Sequence, residues 1–244
     1  MPAVAFKDLC IDVTAGEGRP AATAKFWGAA LGQKVVKHDD GDFHLAAPKG
    51  GAAERTVWIN AVPEAPAGKS RVHLDIRVAG GDPGPLIASG GRLLRERDVD
   101  IDWHVLEDPD GVALCAFGPD ESDPGQLGPF ELVVDAADPV PIAHWWADLT
   151  GGTVHQHDGK SWVWVEGAAG FPWRYWVFQT VPEPKTTKNR VHWDVTLTDA
   201  SVDDLLGAGA TLLRLKDASI GWSVMADPDG NEFCAFEPKA RAQT

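Results

Sequence analysis

The chain repeats itself, and that repeat limits its fold more than any other feature. Arg71-Val72-His73-Leu74-Asp75 returns as Arg190-Val191-His192-Trp193-Asp194. Asp108-Pro109-Asp110-Gly111, followed by Cys115-Ala116-Phe117, returns as Asp227-Pro228-Asp229-Gly230, followed by Cys234-Ala235-Phe236. One offset, 119 residues, separates His73 from His192, Asp108 from Asp227 and Cys115 from Cys234, and Trp27/Trp146, Pro63/Pro182 and Trp103/Trp222 keep it. From about Ala24 onward the two copies align without a gap. Solenoid units run to roughly 20–50 residues, so a period this long marks a duplicated domain.

The hydrophobic pattern divides each copy further. The first copy, residues 1–117, opens with Phe6-Lys7-Asp8-Leu9-Cys10-Ile11-Asp12, whose near alternation predicts a half-buried strand. A helix is expected at about Ala21 to Leu31, where Ala24, Trp27, Ala30 and Leu31 share a face and Gly32 stops it. Strands are expected near 33–37, 43–46 and 56–60. A second strand–helix–strands set then starts at Arg71, with a weak helix near Pro85 to Ala88 and an Asp-Pro-Asp-Gly turn between its last two strands. The order βαβββ therefore occurs twice in the copy. Residues 118–129, rich in Pro, Gly, Asp and Ser, predict an exposed linker. The second copy, residues 130–244, repeats the order, with helices near Pro141 to Leu149 and Ser201 to Leu206 and a frayed tail after Phe236.

Charge and cysteine content narrow the partners. A net charge of −14 disfavours nucleic acid and anionic membrane surfaces. The N-terminus has no apolar run after a basic start, and no stretch reaches a membrane-spanning length, so a cytoplasmic protein is expected. Cys115 and Cys234 are equivalent positions, which argues against a disulfide with Cys10 as the odd residue. Monomer with pseudo-dimeric halves and homodimer both stay open.

Strand alternation selects the candidate site residues. Val191, Trp193, Val195 and Leu197 face one way and predict packing on helices; His192, Asp194 and Thr196 face the other, toward water or a cleft. Glu131 shares a face with Val133 and Asp135, and Glu232 with Cys234 and Phe236. His192 is open to three readings: metal ligand, cleft residue without metal, or structural histidine. The cysteines are expected to be small buried hydrophobes, and the Asp-Pro-Asp-Gly segments to be only turns. Of the 11 tryptophans, eight lie in the second copy. Trp162, Trp164 and Trp173 either line a cleft for a flat ligand or bury the interface between the copies. The second copy carries these and Glu232 where the first has Phe43, Leu45, Glu54 and Ala113, so the working cleft is expected there.

Four βαβββ units, strand-borne histidines and Asp-Pro-Asp-Gly near each domain end resemble the vicinal oxygen chelate superfamily. Glyoxalase I, extradiol dioxygenases, fosfomycin-modifying enzymes and bleomycin-binding proteins belong to it. The likeness implies an α+β fold of two tandem domains, each with a curved mixed sheet around a cleft. It also implies one divalent metal (Zn, Fe, Mn or Ni), held at four strand positions, or none. Within the second domain those positions fall near Glu131, Gln179, His192 and Cys234. In the first they fall near Asp8, Asn60, His73 and Cys115. The amide and the thiol depart from the family's usual His and Glu. The resemblance then implies a metal set of Glu131, His192 and Cys234, with Asp8, His73 and Cys115 as first-domain equivalents. With a metal there, His192 is expected to take part in catalysis with Glu232 as general base, and Trp162, Trp164, Trp173, Asp194 and Gln179 are the expected ligand contacts. The activity implied is Lewis-acid chemistry of lyase, isomerase or dioxygenase type on a small oxygenated or aromatic metabolite. The alternative is a metal-free protein that binds an antibiotic-like small molecule.

Overall fold

The computed structural model describes residues 1–16, 18–46 and 56–238. Four βαβββ units follow one another. The first is β1 (Val4–Thr14), α1 (Arg19–Leu31), β2 (Lys34–Lys37), β3 (Phe43–Ala46) and β4 (Thr56–Val62). The second is β5 (Val72–Arg77), α2 (Gly84–Ala88), β6 (Arg92–Arg95), β7 (Trp103–Glu107) and β8 (Ala113–Phe117). The third is β9 (Gly128–Ala136), α3 (Pro139–Thr150), β10 (Thr153–Gln156), β11 (Trp162–Glu166) and β12 (Tyr175–Thr180). The fourth is β13 (Val191–Leu197), α4 (Val202–Gly207), β14 (Thr211–Arg214), β15 (Ser223–Ala226) and β16 (Glu232–Phe236). Gly128 and Pro129, expected to be linker, already belong to β9, opposite Arg77 and Ile76. Glu54 and the tail from residue 239 lie outside the described residues.

Local chemistry explains the helix limits. Pro20 opens α1 and Gly32 closes it in the left-handed conformation. Asp138 caps α3 by accepting from Val140 N, and Ser201 and Asp204 form a reciprocal capping box at α4. No helix among the described residues is long and apolar enough to cross a membrane.

The units pair across the sequence repeat. One sheet runs β14-β15-β16-β13-β1-β4-β3-β2 and the other β10-β11-β12-β9-β5-β8-β7-β6, each with eight strands. Unit one therefore shares a sheet with unit four, and unit two with unit three. The seams are antiparallel, β1 on β13 and β5 on β9. Because all four units have the same pattern, any two can form this seam, so sequence alone does not decide which pair does.

The apolar faces of both sheets meet α1 and α3 in one continuous core. Trp146 of α3 stands at its centre, with ring centroids 5.0 Å from Trp176, 5.2 Å from Trp193 and 5.1 Å from Phe233. The first sheet supplies Trp193 and Phe233 and the second supplies Trp176, so aromatic packing joins the sheets. The buried face expected for β13 is thus observed: Val191, Trp193, Val195 and Leu197 are all buried.

The Asp-Pro-Asp-Gly segments do more than turn the chain. Gly111 and Gly230 take positive φ there, which favours glycine. Asp108 accepts the indole N–H of Trp27 at 2.8 Å, and Asp227 that of Trp146 at 3.1 Å. Asp110 accepts from Thr14 N and from Arg190 Nη2, each at 2.8 Å. Each of these contacts ties a β-turn of one sheet to a helix, a strand or a strand-flanking residue of a unit in the other sheet.

Candidate functional site

Away from the core, the second sheet curls around a cavity of about 530 Å³. Its floor holds His73 and Asp75 of β5, Cys115 of β8, and Glu131 and Val133 of β9. One wall is Trp103 and Phe117, stacked at 5.2 Å; the other is Trp162 and Trp164 of β11 with Tyr175 of β12. Val177, Gln179 and His157 complete the lining. The strands run from β7 on one side to β11 on the other, so both wings of the sheet must bend inward to share one cavity.

The floor concentrates metal-binding chemistry. One donor atom each from His73, Asp75 and Cys115 lie within 4.8 Å of one another. His73 Nε2 stands 3.2 Å from Asp75 Oδ1, and that buried oxygen has no hydrogen bond in bonding geometry. Burial works against a charged imidazolium at His73, but the Asp75 carboxylate beside it raises its pKa well above the ordinary histidine value. Burial also raises the Cys115 thiol, against a lowering contribution from His73. Glu131, directly across the strand seam from Asp75, is pushed up to about 7 by burial and by that neighbouring charge. A nitrogen, a carboxylate and a sulfur so close together fit a divalent cation.

These placements correct the sequence expectations. Glu131 and Gln179 lie in the second sheet, but His192 and Cys234 lie in the first, so the expected set of Glu131, His192 and Cys234 is not brought together. The four family positions regroup across the repeat as Glu131 and Gln179 with His73 and Cys115, and as Asp8 and Asn60 with His192 and Cys234. The cleft is built jointly by units two and three, not by the second copy alone. Trp162 and Trp164 line it. Trp173 does not: it packs edge-on against Phe6 at 5.8 Å and Phe171 at 5.4 Å, filling the junction between sheets. Glu232, expected to be a general base, accepts from Lys185 Nζ at 2.8 Å and from Asn189 N at 3.2 Å, at one end of the other sheet.

The tryptophan asymmetry also rests on different partners from those the gap-free alignment gives. Trp164 pairs with Val177, which pairs with Val133 and then His73 across the sheet. The equivalent row in the first sheet is His44, Trp58, Cys10 and His192. The counterpart of Trp164 is therefore His44, not Leu45. A one-residue slip on a strand moves a side chain to the other face, and Phe43 and Leu45 accordingly point into the core.

The concave face of the first sheet is filled by its own side chains. His38 and His44 share a 2.7 Å contact, and their rings lie 5.0 Å and 5.2 Å from Trp58. Burial raises the Asp8 carboxyl, against lowering contributions from Lys7 and Trp58. His192 and Asp194 are buried, with His192 Nδ1 3.9 Å from Asp12 Oδ1, and burial pushes the Asp194 carboxyl up to about 6. The sequence reading does not single out Asp75, Tyr175 or His157 as site residues. Asp75 was legible as the strand neighbour of His73 on the same face; Tyr175 and His157 need the unit pairing.

A family model for the glyoxalase-like domain matches residues 8–117 and again 131–236. No curated protein matches the chain by sequence. Among solved structures, glyoxalase I from Zea mays is 13% identical with a TM-score of 0.61, covering 96% of this chain and 92% of that one. A candidate dioxygenase from Bacillus subtilis subsp. subtilis str. 168 is 14% identical with a TM-score of 0.64, covering 98% and 86%. Identities this low show a shared fold. With two matches that together span most of its length, the chain belongs to the glyoxalase-like domain family, within the vicinal oxygen chelate superfamily.

Proposed function

We propose that the cleft between units two and three is the working site, and that it binds a divalent metal and a small, flat, oxygenated substrate. The observation that carries this reading is the His73, Asp75 and Cys115 cluster on the floor of an aromatic-walled cavity. His73, Asp75 and Cys115 would hold the metal, with Glu131 and Gln179 facing the same space. The thiolate makes zinc or iron a better match than manganese. Bound there, the ion would supply Lewis acidity to a substrate oxygen.

The chain's own residues do the rest. Trp103 and Phe117 on one wall, and Trp162, Trp164 and Tyr175 on the other, offer ring faces that orient a planar molecule and exclude water. Trp164 is fixed in place by donating its indole N–H to Glu166 Oε1 at 2.8 Å. Glu131 presents a carboxylate oxygen able to take a proton from a substrate carbon or hydroxyl. The fold is shared with a glyoxalase I and with a candidate dioxygenase. The test is elemental analysis of protein purified without chelator. About one divalent metal per chain, lost in His73→Ala and kept in His192→Ala, supports the reading.

One observation favours a second reading. His73 and Asp75 already form a close pair that, without metal, can hydrogen-bond a polar ligand while the indoles stack on it. Metal-free protein whose tryptophan fluorescence is quenched by a ligand, unchanged by added metals, would select this binding role.

A further inference from the structure

The concave face of the first sheet repeats the metal-binding donors of the cleft but carries a lysine among them. Its His192, Asp194 and Cys234 stand where His73, Asp75 and Cys115 stand in the second sheet. Cys10 Sγ is 3.6 Å from Asp194 Oδ1, and one donor atom each of Cys10, His192 and Asp194 fall within 4.8 Å of one another. His192 is only 9% exposed, and its Nδ1 is buried without a hydrogen bond. Into this group reaches Lys7. Its Nζ contacts the Asp8 carboxylate, lies 3.7 Å from Asp194 Oδ2 and stands 4.4 Å from the centre of the Phe236 ring.

A β-bulge puts the lysine there. The pairing of β1 with β13 shifts register between Phe6 and Asp8, so Lys7 is the extra residue and turns to the same side as Asp8. The seam of β9 with β5 carries the matching bulge: Glu131 pairs with Asp75, and the register then skips to Pro129 opposite Ile76. The extra residue in that case is Phe130, which sits edge-on to Phe117 at 5.3 Å. At this bulge position the two concave faces carry Lys7 and Phe130 respectively.

Charge explains the consequence. Asp8, Asp12 and Asp194 are all at most 5% exposed, and buried carboxylates require compensating cations. Lys188 Nζ binds Asp12 Oδ2 at 2.6 Å and Lys7 serves Asp8 and Asp194. In the second sheet the counterpart of Lys188 is kept, Lys69 at 2.8 Å from Asp135 Oδ2, but the counterpart of Lys7 is uncharged, and the nearby Arg77 guanidinium lies over the Phe130 ring at 4.1 Å with its N–H groups donated to Gly118 O and Asp120 Oδ2 rather than to the floor carboxylates. We propose that the Lys7 ammonium is the resident cation of the first sheet's concave face, tethered where a divalent metal would otherwise bind. Asp8, Cys10, His192 and Asp194 then form a latent metal site closed by a single residue, and metal chemistry is confined to the other cleft.

The test is zinc stoichiometry of Lys7→Met against the wild type, after equilibration with zinc and dialysis, each measured alone and with His73→Ala. The expected result is one additional zinc per chain in Lys7→Met in both backgrounds. Because the increment is the readout, it stands whether or not the cleft itself binds metal. With cobalt, Lys7→Met should gain a thiolate charge-transfer band that Cys10→Ser removes. A Lys7→Met protein that folds only when zinc is present also supports the proposal. A folded Lys7→Met with an unchanged zinc count overturns it, as does a Lys7→Met that stays unfolded with zinc. Wild-type protein that loses zinc on His192→Ala overturns it too, since Lys7 would then not exclude the ion.

Discussion

Trp146 donates its indole N–H to Asp227 Oδ2 at 3.1 Å, in the interior where α3 meets the turn before β16. The same turn holds Asp229 N and Asn231 N on Asp227 Oδ1. Burial outweighs these N–H groups and pushes the Asp227 carboxyl up to about 6, as it does at Asp108, the acceptor for Trp27. A folded pKa above the unfolded one means the native state binds the proton more tightly. The resulting stability is complete below the unfolded value of 3.8 and is lost as pH rises through about 6. Each such group then contributes roughly 2–3 kcal/mol to the difference. The thermal midpoint should fall between about pH 4 and pH 6.5, and Asp227→Asn should flatten that slope while lowering the midpoint at about pH 4. A slope unchanged by the substitution would remove Asp227 as its source.

The tryptophans should separate by function. Trp164→Ala removes a half-buried cleft wall, so the midpoint should change little while ligand affinity drops. Trp176→Ala empties a fully buried site at the junction of the sheets and should cost about 3–5 kcal/mol. Chemical denaturation of the two variants side by side checks this, and comparable losses would mean that Trp164 is also structural.

Glu232→Ala should leave ligand binding and turnover within about twofold. It breaks the Lys185 pair and one backbone hydrogen bond, and should lower stability by about 1 kcal/mol. A large loss of turnover with unchanged stability would restore Glu232 as a reacting group.

Much of the fold was legible because alternation and turn residues act locally. The polar and apolar faces of β13 follow from period-two spacing, and Gly32 marks the end of α1. Unit pairing was not legible: β1 could meet β5 or β13 with equal local logic, and the sequence repeat suggested the former. The pairing observed, β1 on β13 and β5 on β9, places His73 and Cys115 in one site with Glu131 and leaves His192 and Cys234 in the other. The one-residue slip between β3 and β11 was equally hidden. It arises in the hairpin after β2, and it exchanged Leu45 for His44 as the partner of Trp164. Residue types at the family positions were readable one by one, but their assembly depends on pairing between distant strands.

The central claim is that metal chemistry belongs to the cleft of His73, Asp75 and Cys115 and not to its counterpart. The most direct measurement is the absorption spectrum of cobalt-substituted protein with each cysteine replaced in turn. Wild type and Cys234→Ser should both show a sulfur-to-cobalt charge-transfer band, and Cys115→Ser should lack it. A band that survives in Cys115→Ser and vanishes in Cys234→Ser would contradict the account.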